Sequence, residues 1–342
     1  MKYSFIIPVY NRPDEVRELL ASLSLQTLKN FEVVVVEDGS TIPCKDVCDE
    51  YAGALNLHYF FKENSGPGQS RNYGVERAAG EYVVIVDSDA VLPPGFMQAI
   101  DDELRRQPTD AWGGPDAAHE SFTTIQKAIS YAMTSFFTTG GIRGGKKQME
   151  KFHPRSFNLG VRREVYLQLG GFSTERFSKM ALYGEDIDFS LRIYKGGYSC
   201  RLFPEAWLWH KRRTDFRRFW RQVYNSGYAR INLWRKYPEA LKPVHALPSV
   251  FTLGVAGLLL LFLAGLALYL FSPDHMSGAI GFALCELAPI PLILYSALIF
   301  IDSSIRNKSV KVGLISIPAV FIQLIGYGVG FLESLLTKKK HG

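Results

Sequence analysis

Tyr82-Val83-Val84-Ile85-Val86-Asp87-Ser88-Asp89 is an apolar run that ends in two carboxylates one residue apart. The run predicts a buried strand. Alternate residues of an extended chain point the same way, so Asp87 and Asp89 can converge on one point beyond its carboxyl end. Two like charges that close raise each other's pKa unless a cation holds them. Hard oxygen ligands suit Mg²⁺ or Mn²⁺, which leave positions open for phosphate. Asp and Ser are also ordinary turn residues, so a solvated turn is the competing reading of these positions taken alone.

Working outward, the same pattern recurs. Tyr3–Tyr10 is a short apolar run ended by Asn11-Arg12-Pro13-Asp14, after which Val16, Leu19, Leu20 and Leu23 mark one face of a helix. Phe31–Val36 is a second apolar run, closed by Glu37-Asp38-Gly39-Ser40. Leu57–Phe61 is a third, followed by the glycine-rich Ser65–Ser70 loop and a helix from about Arg71 to Ala79. Buried strands alternating with helices predict a doubly wound, mostly parallel sheet. Ligands of such sheets bind beyond the carboxyl ends of the strands. Tyr10 to Arg12, Glu37-Asp38, Gly66 to Arg71 and the Asp87/Asp89 pair all fall on that edge.

Further along, Tyr183-Gly184-Glu185-Asp186 heads a helix with Ile187, Leu191 and Tyr194 on one side. Acidic residues in a first turn suit the helix dipole. A carboxylate fixed there also serves as a general base. Asn158 to Arg163 and Leu169-Gly170-Gly171-Phe172 read as strand and loop pieces of a donor or acceptor pocket, with Asn158 and Gly171 as its candidate residues. Cys44 and Cys48 lack a second ligand pair for zinc and read, with Cys200 and Cys285, as ordinary thiols. No G-x-G-x-x-G follows the first strand, which excludes a dinucleotide-dependent dehydrogenase.

Taken together, Ile7-Pro8-Val9-Tyr10-Asn11-Arg12, Val36-Glu37-Asp38-Gly39-Ser40, Gly66–Gly80 with Arg71-Asn72, Asp87-Ser88-Asp89, Gly170-Gly171-Phe172 and Glu185-Asp186 resemble the family 2 glycosyltransferases, in that family's order. The resemblance covers roughly residues 3–215 and implies a GT-A fold, an α/β Rossmann-like sheet with flanking helices. It implies that Asp38 hydrogen-bonds the nucleotide base, that Pro8, Tyr10 and Arg12 line its pocket, and that Arg71 contacts the nucleotide or its phosphates. Asp87 and Asp89 would face the ribose and a metal-bound diphosphate, with His210 as a further metal or diphosphate ligand. Asp186, beside Glu185, would deprotonate the acceptor hydroxyl. The expected cofactor is Mg²⁺ or Mn²⁺ and the expected donor a UDP-sugar. The family commonly has Asp where Glu37 stands.

The carboxyl-terminal part differs in composition. Leu247–Phe271, Ala279–Ile301 and Val312–Leu332 are each apolar over the roughly 20 residues a bilayer crossing needs. They predict transmembrane helices, and resemble those of membrane-anchored bacterial members. Ahead of them, residues 211–242 hold ten Lys/Arg against two acids, a net +8 within a chain of +6. Phe216, Trp220, Val223, Gly227, Ile231 and Trp234 recur there at helical spacing, predicting a basic amphipathic helix at the membrane interface. Nucleic-acid binding, the other reading of a basic aromatic stretch, is set aside because of the adjacent spans. The expected organisation is a catalytic domain over 1–215, the interfacial region over 216–246, a membrane domain over 247–336 and a basic tail over 337–342.

No signal peptide precedes the first strand, so the catalytic domain is expected in the cytosol, anchored to the inner membrane. Lys/Arg favour that side. The basic segment, the loop over 272–278 without Lys or Arg, and the Arg306/Lys308/Lys311 loop give in, out, in. A third crossing would then put the Lys338-Lys339-Lys340 tail outside, against the same rule. Gly140–Lys147 reads either as a lid over phosphates or as a surface loop. The acceptor is expected to be a polyprenyl-linked or polysaccharide hydroxyl, or a polyprenyl phosphate. A nucleotidyltransferase leaves Glu185-Asp186 unexplained, and the intact acids argue against an inactive scaffold of an export system.

Overall fold

The computed structural model describes residues 1–117, 122–139, 152–175, 177, 183–211, 213–272 and 274–337. The Gly140–Lys147 stretch, Arg212 and the lysine tail lie outside the described residues. In chain order the elements are β1 (Tyr3–Val9), α1 (Pro13–Ser24), β2 (Phe31–Asp38), α2 (Lys45–Tyr51), β3 (Leu57–Lys62), α3 (Pro67–Arg77), β4 (Tyr82–Val86), β5 (Ala90–Val91), α4 (Phe96–Arg106), β6 (Ala111–Gly113) and β7 (Asp116–Ala117). Then come α5 (Thr124–Thr134), α6 (Phe136–Thr139), β8 (Asn158–Arg162), α7 (Arg163–Gln168), α8 (Glu185–Lys195), β9 (Cys200–Leu202) and β10 (Leu208–His210). The chain ends with α9 (Phe216–Lys236), α10 (Leu247–Phe271), α11 (His275–Leu287), α12 (Ile290–Asn307) and α13 (Val310–Leu336).

These elements form two compact units. The first comprises Met1–Ser121 and Gly144–Lys211, the second Phe122–Arg143 and Arg212–Gly342. In the first, a seven-stranded sheet runs β3-β2-β1-β4-β8-β6-β9. Neighbours are parallel except that β8 is antiparallel to β4 and β6. β1, β2 and β4 are buried along their whole length, as continuous apolar runs covered on both faces should be. Gly74 of α3 faces Ile6 and Val36, where a side chain would push the helix off the sheet. A second, small sheet runs β5-β10-β7.

β2 runs on through Glu37 and Asp38 instead of ending at Val36, and a second boundary shift bears on the site. The helix after β3 begins at Pro67 rather than Arg71, so most of the glycine-rich stretch is its first turn. Proline at N1 has its φ already set and gives up only an amide that no helix would use. Arg71 is therefore carried by a helix and not by a loop.

The second unit is helical. Among the described residues, three helical segments are long and apolar enough to cross a membrane: Pro243–Phe271, His275–Asn307 and Val310–Leu336. The middle one is broken between α11 and α12 near Pro289. α5 and α6 belong to this unit although they lie within the stretch expected to be catalytic. The reason is burial: Ala128, Ile129 and Ala132 of α5 share one apolar cluster with Phe219, Val223, Val312, Ala319 and Val320. On α9 the buried stripe runs through Phe219, Val223, Gly227 and Ile231, while Trp220 and Trp234 stay partly exposed.

Candidate active site

Strand ends build the site. β4 stops at Val86 and the chain turns, Ala90 N–H donating to the Asp87 carbonyl. β5 then pairs antiparallel with β10, setting His210 opposite Ala90. Asp87, Asp89 and His210 thereby converge, with one ligand atom from each lying within 4.8 Å of the others. The His210 ring is held by stacking on Phe157, centroids 4.7 Å apart.

The two carboxylates are divided between partners in the same way. Asp87 Oδ1 accepts from Arg71 Nη2 at 2.8 Å, and its Oδ2 lies 3.9 Å from His210 Nε2. Asp89 Oδ2 accepts from Arg12 Nη1 at 2.6 Å, and its Oδ1 lies 3.1 Å from the same Nε2. Each acid thus spends one oxygen on an arginine and turns the other toward the imidazole. Burial works to raise the Asp89 pKa, but His210 and Arg12 override it and hold the carboxyl well below the usual range. Two carboxylate oxygens suit Mg²⁺ or Mn²⁺ and the imidazole nitrogen is a transition-metal ligand, so the residues present fit a divalent metal. Like-charge repulsion is already relieved by the arginines, which the sequence argument did not foresee.

Arg71 continues into the interior. Its Nη1 donates to Glu185 Oε1 at 2.5 Å and its guanidinium lies 5.1 Å from the centroid of the Phe172 ring. This arginine ties the Asp87 turn to the start of α8. Burial pushes the Glu185 carboxyl up to about 7, against the pull of Arg71. Asp186, next along, is ion-paired with Arg155 at 3.1 Å and accepts from the Ile187 N–H. Burial would raise its pKa too, but Arg155 wins and the carboxyl sits below its ordinary value. It is therefore ionised at neutral pH, as a base must be.

The remaining candidates lie around this edge with different tasks. Asp38 ends β2; Lys62 Nζ donates to its Oδ1 at 2.5 Å, and the Ser65 and Gly66 amides donate to its two oxygens at 2.9 Å each. Tyr10 is exposed just past β1, whereas Pro8 is buried within the strand opposite Val36. Glu37 accepts from Cys44 N–H at 2.7 Å and from Ser40 Oγ, so its extra methylene serves the loop before α2. Asn158 is buried opposite Val86 and donates to the Ala206 carbonyl at 2.9 Å. Gly171 has φ +63, with Asn72 packed against it; Asn72 Oδ1 accepts from Phe172 N–H and its amide donates to Phe172 O.

Three residues here escaped the sequence reading. Arg155 sits in an irregular stretch with no motif, and only the unpaired charge of Asp186 hinted that a cation was needed. Lys62 closes β3 as an unremarked strand-end cation. Phe157 was one aromatic among many.

Residues 4–170 match the family described as glycosyl transferase family 2. Residues 4–170 are a family 2 glycosyltransferase domain. An uncharacterized glycosyltransferase of Rickettsia felis is 41% identical to the chain over 137 residues, 40% of this chain and 22% of that protein. Poly(ribitol-phosphate) beta-N-acetylglucosaminyltransferase TarS of Staphylococcus aureus is 43% identical over 93 residues, 26% of this chain and 16% of that protein. The matched stretch thus covers less than a quarter of either relative. Among solved structures, mannosyltransferase PcManGT from Pyrobaculum calidifontis, in complex with GDP-Man and Mn²⁺, aligns with TM-score 0.56 at 20% identity. That alignment covers 94% of this chain and 86% of that one, and the likeness is one of fold. The family 2 domain match stops at residue 170, before Glu185, Asp186 and His210.

Proposed function

We propose that the protein is a metal-dependent, inverting glycosyltransferase that moves a sugar from a UDP-sugar to the hydroxyl of a lipid-linked acceptor at the cytosolic membrane face. The observation that carries this is the Asp87/Asp89/His210 cluster, on the ligand-binding edge of a family 2 domain. A bound Mg²⁺ or Mn²⁺ would supply Lewis-acid stabilisation of the charge that builds on the departing diphosphate. Arg71 and Arg12 hold the two acids so that one oxygen of each faces His210. Asp38 stands ready for the base, its orientation fixed by Lys62 and two backbone amides. Asp186, kept ionised by Arg155, takes the proton of the acceptor hydroxyl as it attacks the anomeric carbon. One displacement inverts that carbon, so no enzyme nucleophile is required.

A lipid-linked acceptor is favoured over a free polysaccharide by the second unit. An apolar groove of about 610 Å³ lies there, lined by Phe136, Phe137, Phe251, Leu258 and Tyr295. A groove of this lining offers an acyl or polyprenyl chain an apolar seat. The test is transfer from UDP- and GDP-sugars into lipid extract, with and without Mn²⁺ or Mg²⁺. Metal-dependent labelling of lipid from a UDP-sugar is expected. Transfer undiminished by chelation, or confined to water-soluble products, would sink the reading.

A further inference from the structure

We infer that α13 does not cross the bilayer: the membrane-embedded surface is the hairpin of α10 with α11–α12, and the end of α13 at Leu336 lies on the catalytic side. This rests on the membrane reading above. Length and composition alone treat the three apolar segments alike, but their surroundings do not. Within the most apolar window, 6% of Pro243–Phe271 and 11% of His275–Asn307 is buried, against 44% of Val310–Leu336.

What covers α13 decides the matter. Its carboxyl-terminal half lies alongside α9. Gly227 of α9 meets the Tyr327 carbonyl and Gly330 of α13 meets the Tyr224 carbonyl, approaches that leave no room for a side chain. Further on, Tyr224 OH donates to Glu333, and Arg235 donates to the carbonyls of Ser334 and Thr337. The shared stretch runs from Val223 and Gly326 to Arg235 and Thr337, about 18 Å at 1.5 Å per residue. α9 carries Arg217, Arg218, Arg221, Arg230, Arg235 and Lys236. A helix so charged does not enter hydrocarbon, and what lies against it stays out as well.

The amino-terminal half is held by α5. Ala128, Ile129 and Ala132 pack with Val312, Ala319 and Val320, and Tyr131 OH donates to Asp302 at 2.7 Å. Ser303 and Ser316 share a hydrogen bond at 2.7 Å beside them. α5 has 11 residues, about 16 Å, too short for a core of roughly 30 Å.

Connectivity then fixes the side. Between β7 and α5, and between β10 and α9, the links are residues 118–123 and 211–215. Fully extended, they span at most about 25 Å, less than the roughly 30 Å hydrocarbon thickness. Both helices therefore start on the catalytic side, and each holds one half of α13. A 27-residue helix anchored at both ends to one side does not cross. α10 and α11–α12, by contrast, pack closely at Gly265 and Gly281 and expose apolar side chains nearly all round, as a lipid-facing hairpin does.

Single cysteines introduced at three exposed positions in a Cys285→Ser background test this in intact cells, using a membrane-impermeant maleimide before and after permeabilisation. Gly53→Cys marks the catalytic unit, Met276→Cys the α10–α11 turn and Leu336→Cys the end of α13. Gly53→Cys and Leu336→Cys are expected to label together, only after permeabilisation, and Met276→Cys without it. Labelling of Leu336→Cys together with Met276→Cys overturns the inference while leaving membrane anchoring intact. Release of the protein by alkaline carbonate overturns the membrane reading itself, and the inference with it. Retained nucleotide binding by each variant verifies that it has folded.

Discussion

The catalytic edge and the helical layer are held by opposite means. At the edge, the acids are held by formal charges: Arg12 with Asp89, Arg71 with Asp87 and Glu185, Arg155 with Asp186, Lys62 with Asp38. In the helical layer, glycines let backbones touch and apolar side chains fill the rest. Charge fixes where a few oxygens point; close packing fixes which helix stays covered. Damage should therefore separate cleanly, the edge losing turnover and the layer losing assembly.

The largest expected effect is on turnover alone. Asp186→Asn removes the proposed base and should lower kcat by about 10²- to 10⁴-fold while nucleotide binding holds. Near-normal transfer would break the assignment of the base. Arg71→Ala should cross the divide. It strands buried Glu185 and frees the Asp87 turn, costing about 3–5 kcal/mol in a denaturation experiment. Adding Glu185→Gln should restore part of that, and an unchanged double variant would mean that the pair is not coupled.

A smaller effect belongs to the layer. Gly227→Leu forces α9 away from α13 and should cost about 1–3 kcal/mol, seen as lower membrane yield with nucleotide affinity per folded molecule unchanged. Smallest is a pH effect at Glu185. Its carboxyl rises from 4.5 to about 7 on folding, so the stability it contributes is full below 4.5 and is lost as pH rises through about 7. The wild type should lose more Tm than Glu185→Gln between about pH 5 and about pH 8. Parallel curves would show that this carboxyl is not perturbed.

Much of the edge was legible because each strand is a local run and its end is marked by polar residues. Asp38, Asp87 and Asp89 all follow apolar stretches that can be read without any partner. His210 needed a resemblance, since its place depends on β10 pairing with β5 across some 120 residues. Arg155 was not legible at all, because no local pattern says which of many basic residues meets Asp186. The helical layer was harder. Hydropathy reports what a helix is made of, and α10 and α13 are made of much the same; what differs is which neighbours cover them. α5 likewise carries no sign that its apolar face answers to a helix almost 200 residues later.

The placement of α5 and α6 has a practical consequence for anyone wanting the catalytic unit in solution. Because Phe122–Arg143 belongs to the helical unit, a single cut after Lys211 would leave an apolar helix pair stripped of its packing partners. Cutting at residue 170, where the family match ends, would also discard β9, β10 and the histidine. A soluble catalytic fragment requires two excisions: the 122–143 insert replaced by a short polar linker, and the chain stopped after Lys211.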